Sequence, residues 1–359
     1  FLTSNITTIG GIERVISVLS NHFVTDLSYE VQISSLYDYG TNTTPAFSLN
    51  SNIQLKFHKL FLKQPKSVFE KVYQNFKQYK AIKRIINEEQ YDCIITTHPH
   101  ISVPVLLCKK ELKGPSIVTE HADYNNCTKF WNFFRRLTYR RADKLVVLTE
   151  TNKRKYHFIS NDKLKVIPNP LSFSVGKRKK SSERKIIAVG RLEYEKGFDR
   201  IIDIFSSIEN DCPNWTMDII GDGSQREHLI KKIKEKNLNH KIEIKSFNPH
   251  IIDNYLESSI CVIPSRSEAF SMVLVEAMSC GLACIIYNLP GPSEIISNGI
   301  DGSLVSENDN ESFAKELLKL IKNDELRDYY GINSVKKVSR YSIEYIVKEW
   351  SHLFSSLEL

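Results

Sequence analysis

Short runs of apolar and β-branched residues recur along this chain, and a longer amphipathic stretch separates each from the next. Alternation of strand-length and helix-length segments predicts a parallel sheet covered by helices on both faces. In the first half the start of the chain and residues 31–36, 93–97, 116–119, 145–148 and 165–167 read as strands, with helices including 11–21, 66–87 and 129–141 between them. Ile167-Pro168-Asn169-Pro170 stops the pattern, and 176–184 is polar and charged with no apolar face. A second set then begins, with strands at 185–189, 216–220, 242–245, 260–263, 283–287 and 302–305, and helices including 197–208, 225–236, 251–256, 271–279 and 311–322. The expected organisation is α/β throughout: one domain over 1–170, a linker over 171–184, a second domain over 185–340, and a last segment at 341–359. In that segment Tyr345, Ile346, Trp350 and Phe354 fall near one helical face, which could pack back on the first domain.

The length of 359 residues allows two domains, and 41% hydrophobic with 25% charged residues is the composition of a soluble globular protein. No run approaches the roughly 20 apolar residues that a spanning helix needs. No secretory signal is visible, and because the chain starts at Phe1 rather than Met, residues of its first strand are expected to precede it. Seven cysteines are scattered without a Cys-x-x-Cys pair. That distribution predicts reduced thiols in a cytosol rather than a disulfide framework or a zinc site. Residues 1–170 carry 24 Lys+Arg against 14 Asp+Glu, a net of +10, whereas the remainder carries 25 against 28, a net of −3. A membrane surface, a nucleic acid or an anionic acceptor would each suit the basic half.

The densest chemistry lies in Ser265-Arg266-Ser267-Glu268-Ala269-Phe270-Ser271-Met272-Val273-Leu274-Val275-Glu276. Glu268 falls in the loop after an apolar strand, and Glu276 about two turns into the next helix. That helix N-terminus, which Ser271 is placed to cap, presents backbone N–H groups to an anion. Phosphate at the helix end with hydroxyl-rich groups at the two carboxylates describes a nucleotide-sugar. Earlier, Val189-Gly190-Arg191-Leu192-Glu193-Tyr194-Glu195-Lys196-Gly197 joins a strand to a helix. Arg191 and Lys196 there offer two cations to a diphosphate at the end of the sheet where such folds bind ligands.

Gly10-Gly11 precedes the first helix and would let main chain approach a phosphate or sugar, although it lacks the third glycine of a dinucleotide fingerprint. His121 follows a strand at its C-terminal end; a structural histidine and a catalytic one are equally consistent with that position. Residues 129–141 interleave Phe130, Phe133, Phe134 and Leu137 with Lys129, Arg136 and Arg140, and 66–84 add further cations beside Phe69, Tyr73 and Phe76. A membrane-interface helix and an ordinary core-facing helix with solvated cations both fit this pattern.

Taken in order, Gly10-Gly11, His121, Gly190-Arg191 with Glu195-Lys196-Gly197, and Glu268 with Glu276 resemble glycosyltransferase family 4, whose members are retaining enzymes of the GT-B fold. The likeness spans nearly the whole chain. It implies two Rossmann-like domains with parallel sheets facing an interdomain cleft. By the resemblance, Arg191 and Lys196 hold the donor diphosphate, Glu268 contacts hydroxyls of the transferred sugar and Glu276 holds the ribose. Backbone amides of Phe270, Ser271, Met272 and Val273 contact sugar and phosphate, Gly11 approaches the diphosphate, and His121 lies near the reacting sugar. The family often has Glu-Gly-Phe-Gly or Glu-Gly-Phe-Pro where Glu268-Ala269-Phe270-Ser271 stands here, and Asn248 replaces a common Gly after Phe247.

Gly291-Pro292-Ser293-Glu294-Ile295-Ile296 is similar to members that make bacterial surface polysaccharide, which often use UDP-linked hexoses or N-acetylhexosamines. The expectation is thus a metal-independent transferase acting on a glycan or lipid-linked glycan. It needs no cofactor beyond its donor substrate and binds no nucleic acid. It is cytoplasmic, with peripheral contact at the inner face of the plasma membrane left open. A GT-B-like sugar-nucleotide epimerase, or a synthase with a soluble acceptor, is the alternative enzyme. A non-catalytic polyanion- or membrane-binding protein is the third reading.

Overall fold

The computed structural model describes residues 1–359 except 38–42, 61–66, 90, 174–182 and 249, so most of the expected linker lies outside the described residues. The chain divides into two compact units: Phe1–Ser172 together with Ile343–Leu359, and Phe173–Ser342. The last helix therefore belongs to the first unit.

In the first unit β1 (Leu2–Thr3), α1 (Gly11–Thr25), β2 (Gln32–Ser35) and β3 (Gln54–Phe57) come first. Then follow α2 (Val68–Glu88), β4 (Ile94–Thr96), α3 (Pro99–Leu107), β5 (Ser116–Glu120), α4 (Lys129–Thr138), β6 (Lys144–Val147), α5 (Glu150–Lys155) and β7 (Leu164–Val166). The strands form a seven-stranded sheet in the order β3-β2-β1-β4-β5-β6-β7. Every recorded pairing in it is parallel. Right-handed crossovers decide which face each helix covers. The chain steps one way from β1 to β2 and the other way from β3 through β4 to β7, so α1 lies on one face and α2, α3, α4 and α5 on the other. On the α1 face Val15, Ile16, Leu19 and Phe23 pack with Ile346, Trp350 and Phe354 of the C-terminal helix (Ile343–Ser355). The Phe23 ring lies 5.7 Å from Trp350 and 5.1 Å from Phe354.

Neither β3 nor α3 was among the expected elements. The β3 sequence, Gln-Leu-Lys-Phe, forms an edge strand that is only partly covered, so it lacks an apolar run. The α3 sequence carries Pro104 in its interior and is apolar all round, which hides helical periodicity. Proline removes the N–H that would bond to the carbonyl four residues earlier. That carbonyl belongs to His100, and it accepts Gln78 Nε2 of α2 at 2.6 Å. A buried glutamine on one helix thus satisfies the backbone acceptor that a proline orphans on the next.

The aromatic-basic stretch forms α4 followed by one 3-10 turn, Tyr139–Arg141. Its anchor is Arg135, which the sequence reading passed over. The Arg135 guanidinium is buried, donates to Glu120 Oε2 at 2.8 Å and lies 4.7 Å over the Tyr124 ring. Tyr139 donates to the other Glu120 oxygen, and Arg135 also donates to the Tyr156 hydroxyl. Burial pushes the Glu120 carboxyl up and the Arg135 charge opposes it, leaving a net rise. Glu120, beside His121 in sequence, is thereby committed to holding α4 on β5.

The second unit begins with β8 (Lys185–Val189), α6 (Phe198–Ile208), β9 (Thr216–Ile220), α7 (Arg226–Glu235), β10 (Ile242–Lys245) and α8 (Ile251–Leu256). It continues with β11 (Ile260–Ile263), α9 (Met272–Ser279), β12 (Ala283–Tyr287), α10 (Pro292–Ile295), β13 (Ser303–Val305), α11 (Asn310–Lys322) and α12 (Asp324–Val338); the C-terminal helix named above is α13. Its six strands lie in the order β10-β9-β8-β11-β12-β13, again with parallel pairings. Phe198, Ile201, Ile202 and Phe205 of α6 and Phe313, Leu317 and Leu320 of α11 fill the core on this sheet. From β8 the chain turns toward β9 and from β11 toward β12, so the strand order reverses between β8 and β11. The loops at the carboxyl ends of two such strands diverge and open a crevice, the usual ligand position in an open α/β sheet.

Candidate active site

The loops after β8 and β11 are those that carry the charged motifs. Gly197 closes the first loop with φ +68, and a Cβ on it would stand 2.1 Å from the Pro264 carbonyl oxygen. Only glycine admits so close an approach, which brings the two loops together. Across the join, Lys196 Nζ lies 2.8 Å from Glu268 Oε1, and that oxygen also accepts the Ser265 hydroxyl at 2.8 Å. Gly291 holds the second loop from the other side, since a Cβ there would meet the Ala269 carbonyl oxygen at 2.3 Å.

Arg266 fastens the loops to each other. It donates to both oxygens of Asp199 in α6, at 2.8 and 2.6 Å, and to the Tyr194 carbonyl at 2.7 Å. Its own backbone N–H donates to the Glu195 carbonyl at 2.8 Å, and its guanidinium lies 4.0 Å over the Tyr194 ring. Burial pushes the Asp199 carboxyl up, but the hydrogen bonds and charge of Arg266 more than reverse this and hold it below its usual value. Arg266 lies inside the stretch singled out from sequence, yet its partner is 67 residues away, so spacing gave no sign of the clamp.

The remaining residues of this unit divide by exposure. Arg191 is exposed and pairs with Glu195 at 3.0 Å. Glu276 is 3% exposed on α9, where its Oε2 accepts the Tyr255 hydroxyl of α8 at 3.0 Å. Burial and the neighbouring Glu276 charge push the Tyr255 hydroxyl well above its ordinary pKa. Phe270 is buried with its ring 5.4 Å from Tyr341. Ser271 stands at the start of α9 with φ +72, a left-handed conformation that serine adopts at a cost. Its Oγ is buried and has no hydrogen-bond partner. Met272 and Val273 form the half-buried first turn, where helical N–H groups lack acceptors within the helix.

Gly11 and His121 belong to the first unit. A Cβ on Gly11 would meet nothing within 4 Å, whereas one on Gly10 would meet the end of the Glu13 side chain at 2.2 Å and displace it. His121 follows β5 and shares a hydrogen bond of 3.0 Å with Thr119 through Nε2; its buried Nδ1 makes no hydrogen bond of good geometry, although the neighbouring Asn169 side chain favours the protonated ring. Two histidines that the sequence reading missed lie after the adjacent strand, β4. His98 Nδ1 is 2.9 Å from Thr97 Oγ1, His100 Nε2 is 3.0 Å from Ser4 Oγ, and their ring centres are 5.2 Å apart. Their signal was Thr97-His98-Pro99-His100 at a strand end, the same placement that marked His121. Burial lowers His98 to about 4; burial and then the charge of His98 lower His100 to about 3 and His121 to about 4. All three imidazoles are therefore neutral at physiological pH. Among the described residues no three of His, Cys, Asp or Glu converge as a metal site.

Comparison with known proteins agrees with this architecture. Residues 9–174 match the family model described as Glycosyltransferase Family 4, and residues 173–337 match Glycosyl transferases group 1. The chain is 29% identical over 370 residues to an amylovoran biosynthesis glycosyltransferase, AmsD, of Erwinia amylovora, covering 99% of this chain and 98% of that protein. It is 30% identical over 277 residues to an uncharacterised glycosyltransferase of Methanocaldococcus jannaschii, covering 74% of this chain and 76% of the relative. Among solved structures, a mutant of TarM from S. aureus, in complex with fondaparinux, alpha-GlcNAc-glycerol and UDP, superposes with a TM-score of 0.82 at 13% identity over 99% of both chains. That likeness carries the fold, which is GT-B. The chain belongs to the glycosyltransferases, with a family 4 domain followed by a group 1 domain.

Proposed function

We propose that this glycosyltransferase moves a hexose or N-acetylhexosamine from a UDP-sugar to a glycan or lipid-linked glycan acceptor, with retention at the anomeric carbon and without a metal ion. It would act in the synthesis of bacterial surface polysaccharide. The observation that carries the reading is the Lys196–Glu268 pair, held at 2.8 Å beside the start of α9 at the strand-order reversal. A cation, a carboxylate and a helix N-terminus converging there suit a diphosphate joined to a sugar. The UDP bound by the TarM mutant and the pathway in the name of AmsD support the nucleotide and the product class.

In this mechanism Lys196 leaves Glu268 for the donor diphosphate, and Arg191 leaves Glu195 for the same group. Glu268, released from its cation, accepts hydrogen bonds from hydroxyls of the transferred sugar. The N–H groups over Phe270, Ser271, Met272 and Val273 face sugar and phosphate, and Glu276 receives the ribose hydroxyls. Gly11 leaves room for the diphosphate at the start of α1, and neutral His121 offers Nδ1 to a sugar hydroxyl. The bond from the anomeric carbon to the phosphate oxygen breaks as the acceptor oxygen bonds to that carbon on the same face. The acceptor proton passes to the departing phosphate oxygen. The cations and the helix end stabilise the charge that develops on the leaving diphosphate, and the protein otherwise orients the two substrates.

Thermal unfolding with UDP, GDP and ADP and their sugars tests the donor class. A ligand at about 100 times its dissociation constant stabilises by about 2.7 kcal/mol. UDP-sugars should raise the melting temperature and be slowly hydrolysed with EDTA present, and NMR of the product should show the donor's anomeric configuration. No stabilisation and no hydrolysis by any nucleotide-sugar would remove the donor assignment; an inverted product would remove retention.

A further inference from the structure

We infer that the face formed by α2 and α4 is a docking surface for an anionic lipid bilayer, lying in its interface without crossing it. Four apolar residues of α2, Phe69, Val72, Tyr73 and Phe76, recur at the spacing of one helical face and are exposed, Phe69 by 84% and Tyr73 by 62%. They are not a core stripe turned outward by chance. The residues that seat α2 on the sheet, Gln78, Ile82, Ile85 and Ile86, occupy a different face and begin only after the exposed stripe ends. On α4, Phe130, Phe133 and Leu137 are likewise exposed, Phe133 by 64%. Arg135, the one cation of α4 that turns inward, is held by Glu120 and so fixes this exposed face on the opposite side.

The two stripes share one side of the unit. Both helices pack against α3, whose first turn touches each: Gln78 donates to the His100 carbonyl, and the His100 ring lies 6.4 Å from Trp131. The α2 stripe ends and the α4 stripe begins beside that turn, which follows the carboxyl end of β4. A membrane on this face would therefore run beside the sheet edge that carries His98, His100 and His121.

Charge selects the occupant. Residues 129–141 hold five cations and no acid, and four of them, Lys129, Arg136, Arg140 and Arg141, are exposed. Around the α2 stripe Lys71, Lys77 and Lys80 are exposed with a single acid, Glu70, and Lys80 Nζ lies 4.7 Å over the Phe76 ring. Exposed phenyl and aliphatic groups flanked by cations match the two layers of a bilayer interface, acyl chains beneath anionic headgroups. A nucleic-acid duplex, whose bases are already stacked, would use the cations and leave Phe69 and Phe133 in water. A protein partner would be expected to bury few lysines. The first unit, Phe1–Ser172 with Ile343–Leu359, carries a net of +8 against −1 in the second, which would turn it toward a negative surface. Among the described residues no helix is long and apolar enough to cross a membrane, so contact through these helices is interfacial.

Flotation of the full chain with phosphatidylcholine vesicles, with and without phosphatidylglycerol, at low and high salt, tests this. The wild type should float with the anionic vesicles at low salt. Removing two cations together, Arg136→Ser with Arg140→Ser, should weaken binding to anionic vesicles roughly 30-fold and leave binding to phosphatidylcholine unchanged, so that the preference for anionic lipid shrinks by that factor. Phe69→Ser and Phe133→Ser should each weaken it by about tenfold or more at both salt concentrations. These side chains are exposed, and an unchanged circular dichroism melt would verify folding of each variant. The inference fails if the wild type stays unbound, or if both phenylalanine variants float like the wild type, which is plain electrostatic adsorption. It also fails if the phenylalanines serve only a concentration-dependent dimer. UDP stabilisation measured on the same samples keeps the donor reading separate: its loss with flotation intact overturns that reading and leaves this one standing.

Discussion

At the level of single residues the ligand-free loops hold their charges in self-paired form. Lys196 sits on Glu268 and Arg191 on Glu195, so binding a diphosphate exchanges one anion for another rather than desolvating a bare cation. Lys196→Ala and Glu268→Ala should each lower kcat/KM by about 10²–10³-fold. Because the two residues touch, the double variant should lose less than the product of the single losses; steady-state kinetics on the three variants checks both expectations. Ser271 gives a sharper test. Its left-handed φ of +72 and its unpartnered buried hydroxyl both cost stability. Ser271→Gly should therefore raise stability by about 1 kcal/mol, after allowing for the freer unfolded chain. If the hydroxyl serves the donor alongside the N–H groups of this turn, KM should rise roughly tenfold in the same variant. Equal kinetics with a higher melting point would make the serine a tolerated strain with no role. The charged motifs were legible because each sits within a few residues of a strand end. The Arg266–Asp199 clamp was not, because it joins two separate motifs through space, and no periodicity reports such a pairing.

At the level of elements, the pattern of apolar runs disclosed strands buried on both faces and helices with one apolar side. It failed where burial is partial or total. The edge strand β3 is too exposed to show an apolar run, and α3 is too buried to show a polar face. Pro104 deepened the second failure, since a proline inside an apolar run argues against a helix when its neighbours are unseen. The fold tolerates it because Gln78 meets the His100 carbonyl at 2.6 Å. Gln78→Leu should destabilise by about 1–3 kcal/mol, the cost of leaving a buried acceptor unmade. With Pro104→Ala in the background, residue 104 regains its N–H and can bond to that carbonyl, so the same glutamine change should cost less. A double-mutant cycle in urea measures the coupling, and additive losses would show that the proline and the glutamine act independently.

At the level of the whole molecule, acid should weaken the first unit through the histidines at its carboxyl edge. An unfolded histidine titrates near 6.5, whereas His98, His100 and His121 are lowered to about 4, about 3 and about 4 in the fold. Between those values the unfolded chain binds more protons than the native one, so stability rises with pH there and falls as pH drops. The stability these groups contribute is complete above about pH 6.5 and is lost as pH falls toward their folded values. Carboxylates held below their usual range, such as Asp143 and Asp199, act in the same direction only at lower pH. In the window from pH 6.5 to about 4 the histidines, with His58 also lowered by burial, act together, and the Glu120 carboxyl, raised by burial, opposes them. Melting followed by circular dichroism should fall by roughly 5–10 °C between pH 7 and pH 5. His98→Asn with His100→Asn should flatten that dependence while lowering the melting point at pH 7, because the buried hydrogen bonds to Thr97 and Ser4 are altered. UDP stabilisation, whose proposed charged contacts are Arg191, Lys196 and Glu276 rather than a histidine, should persist over the same range for as long as the chain stays folded. A pH-independent melt from 7 to 5 would mean that these rings take up protons as readily in the fold as out of it.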